Sequence, residues 1–200
     1  MKPPDAWDRC ADWVGISLDS SQNDQLTRFS VWLGEEAIAA GGLGPGEADR
    51  IDTRHIGDSL LFARPMESPE RIVDFGSGVG LPGIPLAILF PDAEVILIDR
   101  SDRRCDLARR AARILRLENV QVIRGEIGAI PENAPYLVSR ATLPPDQARD
   151  LLGSRLGPGE VLMIGGSWQR RPRDNGWTVI AVPESVLDRP IWLLMMRGRE

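Results

Sequence analysis

From about residue 70, short runs of aliphatic and β-branched residues alternate with segments of helical spacing. This alternation is typical of a parallel sheet covered by crossover helices. Five runs qualify as strands, and their near-continuous apolar character predicts burial on both faces. The runs are RIVDFG (71–76), EVILID (94–99), VQVIRG (120–125), YLVSR (136–140) and EVLMIGG (160–166). The segments GIPLAILF, DRRCDLARRAARILRL and DQARDLLGSRL are the predicted helices between them.

The C-terminal end departs from this alternation. WTVIAVPE (177–184) and IWLLMMRG (191–198) are predicted strands separated by only six residues. A parallel crossover needs a dozen or more residues, so these strands pair antiparallel or lie apart. A seven-stranded, mostly parallel α/β sheet ending in an antiparallel hairpin is typical of the class I S-adenosylmethionine-dependent methyltransferase fold, which is Rossmann-like. A dinucleotide dehydrogenase would continue with another crossover helix.

The part of the chain before the sheet is predicted to be helical. Residues 20–40 and 47–63 have helical character, and GGLGPG at 41–46 separates them. We expect a single domain over residues 1–200, with an N-terminal helical cap at 1–65 and a methyltransferase core at 66–200.

Composition excludes several classes of protein. With 42% hydrophobic and 26% charged residues, the chain lies outside the disordered and disulfide-rich classes. No stretch approaches the ~20 apolar residues of a membrane helix, and the N-terminal MKPPDAWDRC has no apolar signal core, which predicts a cytoplasmic protein. Cys10 and Cys105 have neither metal-site nor disulfide-framework spacing, and His55 is the single histidine. We therefore expect no metal site.

Charge is distributed unevenly along the chain. Residues 1–50 contain nine acidic and four basic residues, whereas residues 100–124 contain eight arginines and three acids. The helix predicted over 102–117 places most of these arginines opposite its apolar side. This face is either a phosphate-binding surface or a solvated face whose arginines pair with Asp102 and Asp106.

A glycine-rich turn, DFGSGVGLPG at 74–83, directly follows the first strand and opens a helix. Gly76, Gly78 and Gly80 permit a tight turn whose backbone N–H groups closely approach a ligand. Asp74 lies two residues before the first glycine, where its carboxylate can reach the cationic amino-acid part of S-adenosylmethionine. Because a dinucleotide pyrophosphate would gain nothing from that charge, the turn favours a methyl donor over NAD.

Asp99 ends the next strand, nineteen residues after Gly80. A carboxylate at this point can accept hydrogen bonds from both ribose hydroxyls of a nucleoside. The structural alternative is that Asp99 caps the helix that follows, and the two roles are compatible.

Three segments together resemble the RsmG (GidB) family, bacterial small-subunit rRNA methyltransferases that modify N7 of a guanine in 16S rRNA. The segments are RHIGDSL (54–60), VDFGSGVGLPGIPLAI (73–88) and VSRA (138–141), and their order and spacing match the family over about residues 54–140. The resemblance implies a class I methyltransferase fold with a helical N-terminal extension and S-adenosylmethionine as donor. The implied partners are 16S rRNA and the 30S subunit, and we expect a monomer.

The resemblance also implies roles for particular residues. Gly76 and Leu81 would line the donor loop, Ile127 and Gly128 would flank the adenine, and Arg140 would follow the fourth strand at the reaction cleft, beside the donor. The alternative for Ile127 is that its side chain packs in the core and does not contact the adenine.

The sequence departs from the family pattern at two places. An Asn-Leu-Thr element usual in the family is replaced by Gly42-Leu43-Gly44-Pro45, and a Lys-Gly after the fifth strand by Gly165-Gly166. Arg103 retains a cation where the family often has lysine, and we assign it to RNA binding. The departures keep two alternatives open: a related methyltransferase with another RNA or a small-molecule substrate, and a catalytically silent protein that only binds S-adenosylmethionine.

Methyl transfer from a sulfonium requires alignment more than proton transfer. Guanine N7 offers a lone pair and loses no proton, so no general base is needed. We predict Arg140 and His55 as catalytic residues, with Arg140 donating to guanine O6 or to a phosphate, and Arg54 as an RNA contact. The alternatives are an Arg140 paired with Asp74 or another strand-end acid, and a buried His55 hydrogen-bonded to Asp58 at i+3.

Overall fold

A computed structural model describes residues 6–165 and 171–199. Its centre is a seven-stranded sheet in the order β3-β2-β1-β4-β5-β7-β6. The strands are β1 (Arg71–Phe75), β2 (Glu94–Asp99), β3 (Val120–Arg124), β4 (Tyr136–Arg140), β5 (Val161–Gly165), β6 (Thr178–Val182) and β7 (Ile191–Arg197). The first five strands run parallel, and β7 pairs antiparallel with both β5 and β6. This confirms the predicted sheet and its terminal hairpin.

The prediction that all five parallel strands are buried on both faces is wrong for β3. None of its residues is fully buried, and Gln121 and Arg124 are exposed. The strand lies at the edge of the sheet, next to β2 alone, so fewer neighbours cover it. By contrast, β5 is buried along its whole length because it lies between β4 and β7.

Helices cover both faces of the sheet. The three predicted crossover helices are present as α4 (Gly83–Leu89), α5 (Asp102–Leu115) and α6 (Pro145–Leu151). Two further helices, α1 (Ala6–Val14) and the short α7 (Glu184–Leu187), were not predicted. The α5 arginines largely have protein partners: Arg109 pairs with Asp106, Arg110 with Glu36, and Arg103 donates to the carbonyl of Ala40. These contacts favour the ion-paired alternative for that face.

The N-terminal cap is helical, as predicted, but its second segment is not one regular helix. Helix α2 (Ser20–Trp32) begins at a reciprocal cap between Asp19 and Gln22 and continues as a π-helical turn, Leu33–Ala37. Residues 45–63 form a 3₁₀ turn (Pro45–Arg50), a π turn (Ile51–Gly57), the short α3 (Asp58–Leu60) and a further 3₁₀ turn (Leu61–Ala63). The wider π turn changes which side chains share a face.

The cap and the sheet share one apolar core. Trp7 of α1, Phe29 of α2 and Leu60 of α3 belong to the same buried cluster as Ile72 of β1 and Leu193 of β7. A second cluster covers the opposite face of the sheet and includes residues of β1, β2, β4, β5 and β7. The cap is therefore packed against the strands whose carboxyl ends carry the predicted site.

Candidate functional site

A cavity of about 720 Å³ lies along the carboxyl-terminal edge of the parallel strands. Its wall extends from Gly125, just after β3, to Leu193 of β7, and residues of the N-terminal cap close one side. The chain reverses its direction of progress across the sheet between β1 and β4. Such a reversal opens a crevice at the strand ends, where ligands of open α/β sheets bind. We call the part beside β1, β2 and β3 the donor half and the part beside β4, β5 and β7 the acceptor half.

The glycine turn forms the wall of the donor half between β1 and α4. The N–H groups of Gly76 and Ser77 both donate to the carbonyl of Ile98 in β2, which fixes the turn to the neighbouring strand. Gly76 has φ +75°, and a Cβ at this position would overlap Thr142. Gly78 has φ +58°, and nothing lies within 4 Å of the place where its Cβ would be. The turn therefore presents bare backbone to an open space.

Asp99 lies at the floor of the donor half and is only 4% exposed. Its Oδ2 accepts a hydrogen bond from the N–H of Gly78 at 3.0 Å, and its Oδ1 accepts one from Ser101 at 2.9 Å. Each carboxylate oxygen has a second lone pair, so further donors can be accommodated. Because Ser101 is the residue at the N-cap of α5, the interpretation of Asp99 as that cap is wrong. Asp99 instead links the glycine turn to the end of β2.

Asp74 is fully buried beneath the turn and does not line the cavity. Its Oδ2 accepts a hydrogen bond from the N–H of Gly83 at 2.7 Å, which ties β1 to the first residue of α4. Burial raises the pKa of this carboxyl to about 7, against the opposing effect of the Gly83 hydrogen bond. The predicted contact between Asp74 and a donor is not present on the cavity wall, because this carboxylate supports the turn from behind.

The other predicted donor contacts divide into two groups. Leu81 and Ile127 line the cavity with Gly76 and Gly78, whereas Gly80 and Gly128 do not. Gly80, at φ +98°, packs its backbone against Ile84 and so serves the shape of the turn.

Arg140 ends β4 at the centre of the cavity and turns its guanidinium toward the N-terminal cap. Its Nη1 donates to the carbonyl of Arg54 at 2.9 Å, and its Nη2 lies 3.3 Å from Nδ1 of His55. No carboxylate among the described residues lies within salt-bridge distance of this guanidinium, so the predicted alternative of a direct ion pair is wrong. Burial lowers the pKa of Arg140, and Asp58 and Asp74 oppose this effect from farther away.

His55 is 7% exposed and bridges the cap to β4. Its Nε2 lies 3.1 Å from Oε2 of Glu47, a residue that the sequence did not single out. The pKa of His55 is lowered to about 4, mainly by burial and secondly by the positive charge of the neighbouring Arg140. The hydrogen bond and negative charge of Glu47 act in the opposite direction. The imidazole is therefore neutral at pH 7.

The predicted pairing of His55 with Asp58 is wrong. Asp58 accepts two hydrogen bonds from Nη2 of Arg189, at 2.8 and 2.7 Å. The prediction assumed α-helical spacing, but His55 lies in the π turn, where residues three apart no longer share a face. Burial raises the pKa of Asp58, and Arg189 is the largest opposing influence.

Arg54 lines the cavity and Arg103 does not. The Arg54 guanidinium lies 3.4 Å from Oε1 of Glu47. Arg103 packs against Gly41 and donates to Ala40, so it joins α5 to the cap. Gly42 and Leu43, which replace the family's Asn-Leu-Thr element, reach the cavity wall. Gly165 also lines it, while Gly166 lies outside the described residues.

Sequence reasoning missed much of the acceptor half. Phe62 of the cap, Thr142 and Leu143 after β4, and Trp192 of β7 line the cavity. Thr142 directly follows Arg140-Ala141, so its proximity to the strand end was a usable signal. Trp192 could be found only once the pairing of β7 with β5, in which Gly165 lies opposite Leu193, was known.

Within residues 6–165 and 171–199, no group of three or more His, Cys, Asp or Glu side chains is arranged to hold a metal ion. Over the same ranges, every helix is too short or too polar to cross a membrane.

The sheet order, the glycine turn and the acid at the end of β2 define a class I S-adenosylmethionine-dependent methyltransferase fold. Solved structures share this fold. A putative S-adenosyl-L-methionine-dependent methyltransferase from Methanococcus maripaludis has a TM-score of 0.56 at 14% identity and covers 92% of this chain and 96% of its own. An RNA methyltransferase from Salinibacter ruber in complex with S-adenosyl-L-homocysteine has a TM-score of 0.54 at 18% identity and covers 72% and 90%.

The chain belongs to the family of rRNA small subunit methyltransferase G (GidB), whose family model matches residues 22–175. Proteins named ribosomal RNA small subunit methyltransferase G are similar to it. The protein from Acidothermus cellulolyticus is 35% identical over 69% of this chain and 62% of its own length, and that from Mycolicibacterium gilvum is 36% identical over 82% and 71%. The chain spans about three fifths of the length of the first curated relatives it matches.

Proposed function

We propose that this protein transfers a methyl group from S-adenosylmethionine to N7 of a guanine in the 16S rRNA of the small ribosomal subunit. One observation carries the proposal: a single cavity joins a bare glycine turn and a buried acid at one end to an arginine at the other, in a chain of this family. We further propose that the protein acts in the cytoplasm as a monomer, on 16S rRNA or the 30S subunit.

The donor half fits a nucleoside. The open space above Gly78 accepts a ligand that a side chain at this position would displace. We assign the ribose hydroxyls to the free lone pairs of Asp99, and one face of the adenine to the apolar side chain of Ile127. Gly76 and Leu81 complete this wall, while Asp74 and Gly80 act indirectly by holding the turn in shape.

When bound, the donor supplies an electrophilic methyl group on a positively charged sulfur. The protein's own contribution is to bind, orient and exclude water, since N7 of guanine already carries a lone pair and gives up no proton. In this scheme Arg140 donates to O6 of the guanine and leaves N7 unobstructed. Leu143 and Trp192 provide apolar surface for the flat base, and the buried Phe62 packs behind this wall.

Positive charge beside the cavity suits a polyanionic substrate. Arg54, Arg100 and Arg104 line the cavity, and the Arg104 side chain is 57% exposed. We assign phosphate contacts to these three arginines, while Arg103, already bonded to the cap, acts structurally.

We also propose that the cap and the sheet fold as a single domain. The shared core from Trp7 to Leu193 supports this, and one cooperative unfolding transition is expected by calorimetry.

Transfer of a radiolabelled methyl group tests the main proposal. Purified protein and labelled donor are incubated with 30S subunits, or with naked 16S rRNA, from cells lacking this modification. Label at a guanine N7 supports the proposal. If calorimetry shows that the protein binds the donor but neither substrate becomes labelled, the proposal is contradicted. Label on another RNA instead would show that the protein has a different substrate.

A further inference from the structure

Two side chains of the acceptor half, His55 and Arg140, form a continuous chain of hydrogen bonds with Glu47 behind them. Oε2 of Glu47 lies 3.1 Å from Nε2 of His55, and Nδ1 of the same imidazole lies 3.3 Å from Nη2 of Arg140. Glu47 belongs to the 3₁₀ turn Pro45–Arg50 of the cap and does not line the cavity. Arg140 does line it. The chain therefore connects a carboxylate outside the cavity to the cation inside it.

The protonation state of His55 follows from its two neighbours. A guanidinium has only donors, so Nδ1 must accept the hydrogen bond from Arg140. A neutral imidazole with a lone pair on Nδ1 carries its proton on Nε2, and that N–H faces the carboxylate of Glu47. An imidazolium would direct a second N–H against Arg140, which is consistent with the lowered pKa of His55. One tautomer thus satisfies both contacts.

This arrangement holds Arg140 without neutralising it. The guanidinium is fixed by two uncharged acceptors, Nδ1 of His55 and the carbonyl of Arg54. The nearby carboxylate of Asp58 is engaged by Arg189 instead. Both contacts come from adjacent cap residues and use two of the five N–H groups of the guanidinium, so Arg140, which lines the cavity, keeps donors for a ligand.

We propose that Glu47 is a positioning residue of the methyl-transfer site, which fixes the Nε2–H tautomer of His55 and through it the orientation of the Arg140 guanidinium. The catalytic part of this inference rests on the proposed function, because Arg140 is the assigned contact to the target base. The tautomer part does not depend on it.

The single histidine makes the tautomer directly measurable. In protein labelled with ¹⁵N-histidine, we expect the imidazole signals at pH 7 to show a protonated Nε2 and an unprotonated Nδ1. Glu47→Ala removes the acceptor that holds the imidazole in position. The ring is then free to turn away from Arg140, and without the Arg140 donor at Nδ1 both signals should move toward a mixture of tautomers. Glu47→Gln keeps an oxygen that can accept from Nε2 and should preserve the wild-type pattern. A wild-type proton on Nδ1, a charged imidazole at pH 7, or an unchanged Glu47→Ala spectrum would overturn the proposal.

Glu36→Ala is the matched control. Glu36 is another glutamate of the N-terminal cap, and its carboxylate pairs with Arg110 at 2.6 Å, away from the cavity wall. Its removal also breaks a contact between cap and core. The imidazole signals and methyl transfer should both remain at wild-type values in this variant.

Transfer kinetics then test the consequence for Arg140. Glu47→Ala should lower kcat on 30S subunits by about ten- to a hundredfold, the range for a displaced positioning group, while calorimetric affinity for S-adenosylhomocysteine stays unchanged. Glu47→Gln should recover most of the rate. A wild-type kcat in Glu47→Ala would overturn the positioning role. The two hypotheses fail in different experiments. If the proposed function is wrong, wild-type protein labels no 30S subunits, but the histidine spectra still show whether Glu47 controls the tautomer of His55.

Discussion

The donor and acceptor halves of the cavity are built by different means. In the donor half, the contacts come from backbone and from residues at or just beyond the carboxyl ends of β1, β2 and β3, such as Gly78 and Asp99. In the acceptor half, side chains meet across long separations, as when Arg140 reaches His55, 85 residues away. The first half is therefore specified by local turn geometry, and the second by how the N-terminal cap packs on the sheet.

This difference predicts different sensitivities. A side chain added to a wall built from backbone either overlaps the protein, as at Gly76, or fills the ligand space, as at Gly78. A wall built from side chains responds instead to the loss of a hydrogen bond or an apolar surface. Substitutions in the glycine turn or at Asp99 should change donor affinity, and those in the acceptor half should change turnover or RNA affinity.

The largest effect is expected for Gly76→Val. The new side chain would overlap Thr142 and would force a β-branched residue into φ +75°. We expect loss of detectable donor binding by calorimetry, together with a lower melting temperature. Gly15→Val is the control, since Gly15 has φ +85° but no atom within 4 Å of its Cβ position. If both variants lose donor affinity equally, backbone strain alone explains the loss. The glycine turn at Gly76 would then have no particular role in donor binding.

Arg140→Ala should have the next largest effect, and on a different quantity. Loss of a preorganised donor to the target base should lower kcat by about 10²- to 10³-fold, with a much smaller change in donor affinity. Arg71→Ala serves as control, because Arg71 pairs with Glu94 at the amino-terminal end of β1, the end of the sheet opposite the cavity. A strong loss of donor affinity in Arg140→Ala with an unchanged kcat would contradict this prediction. Arg140 would then act in the donor half and not on the target base.

The fold and the donor half were largely predictable because their determinants are local. Alternating apolar runs located all seven strands, and the glycine turn with Asp99 located the donor half. Asp74 could not be fully predicted from local sequence. Its position in the motif was clear, but the direction of its side chain was not. Only the packing of α4 against β1 reveals that its carboxylate bonds Gly83 and turns away from the cavity.

The acceptor half was predictable only in part. Family resemblance identified Arg140 and His55, but Glu47 carried no signal in sequence because its contact depends on a 3₁₀ turn followed by a π turn. The same irregular backbone made the α-helical pairing of His55 with Asp58 incorrect. Trp192 reaches the cavity through the antiparallel register of β7, which no local pattern determines.

Asp99→Ala should weaken donor binding by about 1–3 kcal/mol, which corresponds to a five- to 150-fold rise in Kd. The loss removes the proposed ribose acceptor and leaves the N–H of Gly78 without its present partner. Asp102→Ala is a close control, since Asp102 pairs with Arg124 on the exposed side of α5. Equal donor affinity in the wild type and Asp99→Ala would limit this acid to holding the turn and would remove it from the donor contacts.

Trp192→Leu is expected to give the smallest effect and tests the acceptor half alone. The indole is half-buried, lines the cavity and, unlike its neighbours Leu193 and Leu194, belongs to neither core cluster of the described residues. A side chain that contributes little to the core is available to contact a base.

Stacking of one base on an aromatic ring is worth about 1 kcal/mol at the low end, so KM for 30S subunits should rise about fivefold in Trp192→Leu. Trp192→Phe keeps a ring and should stay near wild type. Trp13→Leu, a half-buried tryptophan outside the cavity wall, should leave KM unchanged. Donor affinity should be identical in all three variants. A rise in donor Kd for Trp192→Leu would show that the acceptor half affects donor binding, so that the two halves are energetically coupled.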